Sequence, residues 1–477
     1  MQQTQLIQLL SKLTDAEMRS FVKFVRSPYF NSHQDTIRLF EILKPLHPEF
    51  PDEKINKEII FQQLFPDQEY KDDILRTLRK YLLKQLAYFL TFQRFQEDEL
   101  MLQNYMLEVL GEKEVPTYFK KQLRHAQNLI KKYPDKDEKF FLKQFLIERS
   151  RVESEFIYEK REKTPDLGEA HNLLDHYYLG AKLELLASEL STLFVLGGKR
   201  TNSLFTDEII NHLDACYEKY PPLIQAYYFS VKLLLDPESA DMSIFIKAKE
   251  ILREYGQEFS DKDQTHLYAY LVGYTNKKYQ EGKREFLNEL FEIYKAMLSN
   301  DLLFDGKIFP VHNYKNLVTI GLRLGEYEWT ENFIHEYKRF IPKEYKEGIF
   351  HYNLAHLYFY QKKYGEALQL LQGVDFLDTF YQLGYKMLQL KIYYEQVEVE
   401  SFIALAKTFQ THIRRQSGIP EARKEAYYNF VAILRKVFRI KIGEKSNAEE
   451  IRRELQEIQP IIEKGWLGRK IGEFSYA

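Results

Sequence analysis

His351 and Leu354 return 34 residues later as Tyr385 and Leu388, and that interval narrows the fold more than any other property of the chain. It is the length of one antiparallel helix pair with its turns. A pair this small cannot bury its apolar face alone, so it must stack on further pairs.

The slots between these marks are filled in a recognisable order. Residues 348–381 supply His351, Leu354, Ala355 and Tyr358 on a first helix, then Tyr364, Ala367, Leu371 and Val374 on a second. The preceding unit, 37 residues upstream, supplies Tyr314, Leu317, Val318 and Gly321, then Gly325, Tyr327, Thr330, Ile334 and Tyr337, closed by Pro342. These residues resemble tetratricopeptide repeats, specifically over 313–375 and in architecture over 169–440. The resemblance implies a right-handed solenoid of stacked helix pairs that binds proteins or peptides. Tyr314, Leu317, Gly325, Tyr327, Leu354, Ala355, Tyr358, Tyr364, Ala367 and Leu371 are its expected packing residues. After Tyr385 the second-helix signature is lost around Glu398 to Ser401. Ser27 to Asn31, Tyr314 to Asn316 and Asn353 to Tyr364 are also similar to a family of bacterial helical-repeat proteins.

Upstream of the repeats the chain opens with a helical head, residues 1–95. Thr14 and Glu17 have capping-box spacing. Pro28 ends the helix that follows, and Asn31 or Ser32 is expected to cap the next one. Leu75, Leu78, Leu82, Leu86 and Phe89 recur at helical spacing. The last two helices of the head resemble the helical part of winged-helix domains, without strands to make a wing. Three long helices are predicted over 96–163, broken near Gly111 to Pro116 and near Pro134 to Asp137. Thr164 to Gly168 marks the boundary of the solenoid, 164–445, and a capping helix and tail fill 446–477. The expected class is all-α, since no segment sustains period-2 alternation.

Composition limits the partners. Lysine plus arginine number 68 against 70 aspartate plus glutamate, so a charged partner must meet a local patch. The 35 tyrosines and 35 phenylalanines suit the packing of stacked helices, and rings on another face could line a peptide groove. Cys216 is the only cysteine, which excludes an internal disulfide and fits a reducing compartment. The start carries no secretory h-region and no 18-residue apolar run follows, so a cytoplasmic location without membrane contact is expected.

Residues arranged for catalysis, cofactor or metal binding are not found. His171 and His176, like His351 and His356, are five apart, which turns them to different helix faces, unlike the i, i+4 pair of a zinc helix. His351, in a packing slot, reads as an interhelical histidine. Gly197, Gly198 and Lys199 follow Leu193 where a phosphate loop needs its first glycine, so they read as a turn. Cys216 lies at a helix end and reads as a structural thiol. Glu148, Glu153, Glu155, Glu159 and Glu162 alternate with Arg149, Arg151, Lys160 and Arg161, as on a solvated helix face.

One patch stands out by charge. From Lys407 to Lys445 ten basic residues face three acidic ones. Arg414, Arg415, Arg435, Lys436 and Arg439 are the partner-binding candidates; Glu449, Glu450 and Glu454 could neutralise some of them internally. The expected function is a non-catalytic scaffold or adaptor with no cofactor that holds a protein or peptide in the solenoid groove. The alternative is a nucleic-acid-associated regulator using 407–445 or the head.

Overall fold

The computed structural model describes residues 4–158, 166–201, 203–237, 242–372, 379–415, 419–444 and 447–474. The chain is 78% helix, with no strand among the described residues, as expected for a sequence without two-residue alternation. No described helix is long and apolar enough to cross a membrane. Two compact units are present, Met1–Lys182 and Leu183–Ala477.

Unit 1 holds α1 (Gln5–Leu10), α2 (Asp15–Arg26), α3 (Gln34–Leu43), α4 (Lys57–Leu64), α5 (Asp72–Glu97), α6 (Glu99–Glu112), α7 (Pro116–Lys132) and α8 (Glu138–Tyr158). The division falls inside α9 (Gly168–Leu196). Thr14 and Glu17 form the expected capping box: Glu17 N–H donates to Thr14 Oγ1 at 3.2 Å, and Thr14 N–H donates to Glu17 Oε2 at 2.7 Å. Asn31 does not cap α3, contrary to expectation. It is buried, donates from Nδ2 to Val25 O at 2.8 Å and accepts from His33 N–H at 3.1 Å. It therefore braces the turn after Pro28. The leucine stripe of α5 closes a core with Leu10, Phe21, Leu39, Phe40 and Phe61, each such side chain worth about 1.5–3 kcal/mol of burial. A second core, with Leu107, Phe119, Ala126 and Ile147, joins α6 to α8.

Unit 2 continues with α10 (Thr206–Cys216), α11 (Pro222–Leu235), α12 (Met242–Tyr255), α13 (Asp261–Gln280), α14 (Phe286–Ser299), α15 (Val311–Leu324), α16 (Tyr327–Tyr337), α17 (Lys346–Tyr360), α18 (Tyr364–Leu371), α19 (Thr379–Gln396), α20 (Val399–Arg415), α21 (Glu421–Lys441), α22 (Ala448–Glu457) and α23 (Lys464–Gly472). From α11 to α23 each helix packs on the next. In three places the first helix of one pair also touches the first helix of the following pair: α11 meets α13, α15 meets α17, and α17 meets α19.

Chain reversal within the pairs uses a left-handed residue after the first helix. Gly282, Gly325, Lys362, Val397 and Gly443 have φ of 96°, 81°, 62°, 61° and 83°. Glycine adopts this backbone without steric cost, whereas lysine and especially β-branched valine do not. Where the repeat signature fades, at Glu398 to Ser401, the second helix α20 still forms. Val397 makes the turn there in place of a glycine.

Candidate functional site

The expected packing residues sit mainly inside unit 2. Tyr314, Leu317, Leu354, Ala355, Ala367 and Leu371 are buried. Tyr327, Tyr358 and Tyr364 are half-buried, and Gly325 makes a turn. Tyr314 O–H donates to Ile334 O at 2.6 Å, tying α15 to α16. A Cβ at Gly321 would overlap Thr330 Oγ1, so glycine sets the close approach of these two helices. Val374 lies outside the described residues.

The alternate helices α15, α17, α19 and α21 bring a different set of side chains together. Lys315 and Arg323 lie eight apart on α15, and Tyr352, His356 and Tyr360 succeed one another at four-residue steps on α17. Tyr381, Gly384 and Lys391 come from α19, and Arg423 and Tyr427 from α21. The centre of the group is Lys391, only 2% exposed. Its ammonium donates to Glu463 Oε2 at 2.8 Å, with the rings of Phe359 and Trp466 at 4.9 and 5.0 Å. Arg323 stands 3.9 Å from Glu463 Oε1.

Glu463 reaches this group from the loop ahead of α23, at a φ of 54°. The loop is held in place where Asn429 Nδ2 donates to Pro460 O at 2.8 Å. The Lys391 charge and its hydrogen bond, helped by Arg323, hold the Glu463 carboxyl down at about 2 against the opposing effect of burial. Burial, then the Lys391 and Lys315 charges, push His356 down to about 3. It is neutral at physiological pH. Its Nε2 is sealed from solvent without a hydrogen-bond partner among the described residues, and its ring lies edge-on to Tyr352 at 4.6 Å. Burial raises Tyr352 well above the ordinary phenol value. Lys315 lies over Tyr352 and Tyr381 at 5.8 and 5.4 Å. A Cβ at Gly384 would overlap the Tyr352 hydroxyl, so this glycine makes room for that ring.

Such an arrangement holds a carboxylate: cations surround it, and aromatic faces keep water from screening the attraction. The buried histidine expected at His351 is instead His356, five residues on. His351 is one-third exposed, 4.0 Å from Glu347 of its own helix, whereas His356 carries the sealed nitrogen. Lys391 and Glu463, 72 residues apart, escaped sequence reasoning because nothing in the linear pattern pairs them. The available signal was a lysine within the apolar run Leu388 to Tyr394.

The five partner-binding candidates are exposed on α20 and α21. Lys436 donates to both carboxylate oxygens of Glu454 at 2.6 Å, and Arg439 pairs with Glu444 at 3.2 Å. Arg414 lies over Tyr428 at 5.5 Å. Arg435 has no ion-pair partner among the described residues. Lys445 lies outside them, as do Glu159, Lys160, Arg161, Glu162 and Thr164.

The remaining motifs resolve locally. Gly197 and Gly198, at φ of 71° and 130°, form the turn after α9. Cys216 Sγ donates to His212 O at 3.2 Å, one turn back on its own helix, and His212 Nε2 lies 2.7 Å from Tyr220 Oη. Arg149 pairs with Glu153 on an exposed face, as expected, whereas Arg151 pairs with Glu148 and Glu155 where all three side chains are partly buried, contrary to the expected solvated face. No family model, no curated protein and no solved structure matches this chain.

Proposed function

We propose that this chain is a non-catalytic protein-interaction module, in which the helix pairs of unit 2 stack as a tetratricopeptide-like right-handed solenoid and the face of its alternate helices receives an acidic segment of a partner. The observation that carries this reading is Glu463. A loop carboxylate from late in the chain is held by Lys391 and Arg323 among the tyrosines of α17 and α19. A face that accepts a carboxylate on an irregular segment of its own chain has the charge and shape to accept one from another chain. The successive contacts of first helices with first helices support the stacking.

Competition tests it. Glu463→Gln removes the internal charge and leaves the Lys391 ammonium without its carboxylate, at a cost in stability that a carboxylate from another chain would relieve. A labelled peptide containing glutamates should then bind this variant about tenfold more tightly than the parent, a gain of about 1.4 kcal/mol. Arg323→Ala should cancel the gain, and the same peptide with glutamines should bind neither protein. Equal binding of the acidic and neutral peptides would overturn the reading. The alternative of nucleic-acid contact through 407–445 has less support, because Lys436 and Arg439 are already neutralised by Glu454 and Glu444.

A further inference from the structure

Helix α5 of unit 1 presents a charge pattern that its packing does not explain. Between Asp73 and Glu97 stand Arg76, Arg79, Lys80, Lys84 and Arg94, and no acidic residue. Leu75, Leu78, Leu82, Leu86 and Phe89 take the buried side. At about 100° per residue, Arg76, Lys80 and Lys84 fall within about 80° of one another on the exposed side. Tyr88, Tyr81 and Phe92 occupy the next strip, about 120° to 160° around from Arg76. A row of cations thus runs beside a row of rings.

Both rows are open to solvent. Tyr81 is 47% exposed and Tyr88 53%. Arg76, Lys80 and Lys84 form no ion pair among the described residues, and Lys84 lies over the Tyr88 ring at 5.4 Å. Like charges four apart on a helix repel, so the row is held at a cost that an anion would relieve.

The ring row continues onto a second element. The turn after Pro28 is fixed to α5 where Gln85 Nε2 donates to Phe30 O at 2.9 Å, and from within by Asn31. Phe30 stacks on Phe24 at 4.3 Å and packs on Phe92 at 5.7 Å. Tyr29 stands at the tip, 88% exposed and edge-on to Phe30 at 5.0 Å. A braced turn that leaves a tyrosine almost wholly in water gains nothing in core packing from it.

We infer that the α5 cation row and the Tyr29, Phe30, Tyr88 and Phe92 rings form a binding surface for single-stranded nucleic acid. Successive cations four residues apart are spaced about 6 Å along the helix, a step that suits consecutive phosphates of an extended strand. The rings of the neighbouring row offer faces for the unpaired bases. An acidic polypeptide would satisfy the cations and leave the rings unused, and a duplex hides its base faces; the paired rows favour a single strand.

The test uses the full chain and labelled dT and rU strands of about 15 nucleotides, read by fluorescence anisotropy at about 50 and 200 mM salt. Both strands should bind, with affinity falling as salt rises; tighter rU binding would assign RNA as the natural ligand, tighter dT binding DNA. Lys80→Glu with Lys84→Glu should weaken binding at least tenfold and flatten the salt dependence. Tyr29→Ala with Tyr88→Ala should weaken it about tenfold at unchanged salt slope. All four positions are exposed, and circular dichroism checks that each variant is folded. Absence of binding by the parent at low salt overturns the inference. So does polyglutamate competing as well as the strand while the tyrosine variant binds normally, since that outcome describes a site for acidic protein. Loss of binding in Arg415→Glu but not in the α5 variants would place the contact in unit 2 and equally refute it.

Discussion

Unit 2 carries two cation-rich regions that are neutralised in opposite ways. On the exposed side of α21 Lys436 and Arg439 stand close in sequence, lie in water and meet acids nearby: Lys436 with Glu454, Arg439 with Glu444, each side chain a third or more exposed. At Lys391 a lysine is enclosed at 2% exposure and meets a glutamate from a distant loop. Water already solvates the first set, so each pair adds little. Removing one partner of the second strands a charge in an apolar enclosure, which is costly. Local charge density therefore marks the region of smaller energetic consequence.

The largest expected effect is at the enclosed pair. Lys391→Met preserves much of the volume but leaves Glu463 with only the more distant and more exposed Arg323, and should destabilise unit 2 by about 3–5 kcal/mol. Adding Glu463→Gln should restore most of it, because the uncompensated charge is gone. Thermal melts of both variants check this, and a single variant as stable as the parent would erase the contrast between the two regions.

Acidification should give a graded effect. His356 is held at about 3 against an ordinary 6.5, so below 6.5 the unfolded chain takes up a proton that the folded chain refuses. Stability is therefore lost as pH falls from 6.5 towards 3, at up to about 1.4 kcal/mol per pH unit. Glu463, lowered from 4.5 to about 2, contributes stability that is present above 4.5 and lost as pH falls through that lower range. Melting His356→Gln from pH 7 to 5 should show a flatter profile than the parent; parallel profiles would mean that His356 protonates freely in the fold.

The smallest effect belongs to α21. Lys436→Ala should cost about 0–1 kcal/mol and show mainly as faster hydrogen exchange in α22, whose Glu454 loses its partner. A cost approaching that of Lys391→Met would show that exposure does not separate the two regions.

Much of the helical framework was legible in the sequence. The leucines of α5, the breaks around α7 and the capping box at Thr14 all rest on interactions between residues at most a few turns apart, which linear spacing encodes. Turns were read less well. Gly325 announces its left-handed backbone by its residue type, but Lys362 and Val397 adopt the same conformation with side chains that disfavour it. There the packing of the flanking helices overrides local preference. Asn31 shows the same limit: its residue type suits a cap, and only the position of Val25 O turns it into a brace.

The sequence by itself determined that the chain is helical, where several of its helices begin or end, and the apolar stripe of α5, because these follow from backbone sterics and a 3.6-residue period. Only the tertiary structure decided that Lys315, Arg323, His356, Lys391 and Glu463 gather in one group, with Lys391 enclosed and Arg323 at its open edge, and that Tyr29 joins Tyr88 and Phe92 on one surface. Such groups come together through helix-on-helix packing across tens of residues, and their electrostatics depend on how much water that packing excludes.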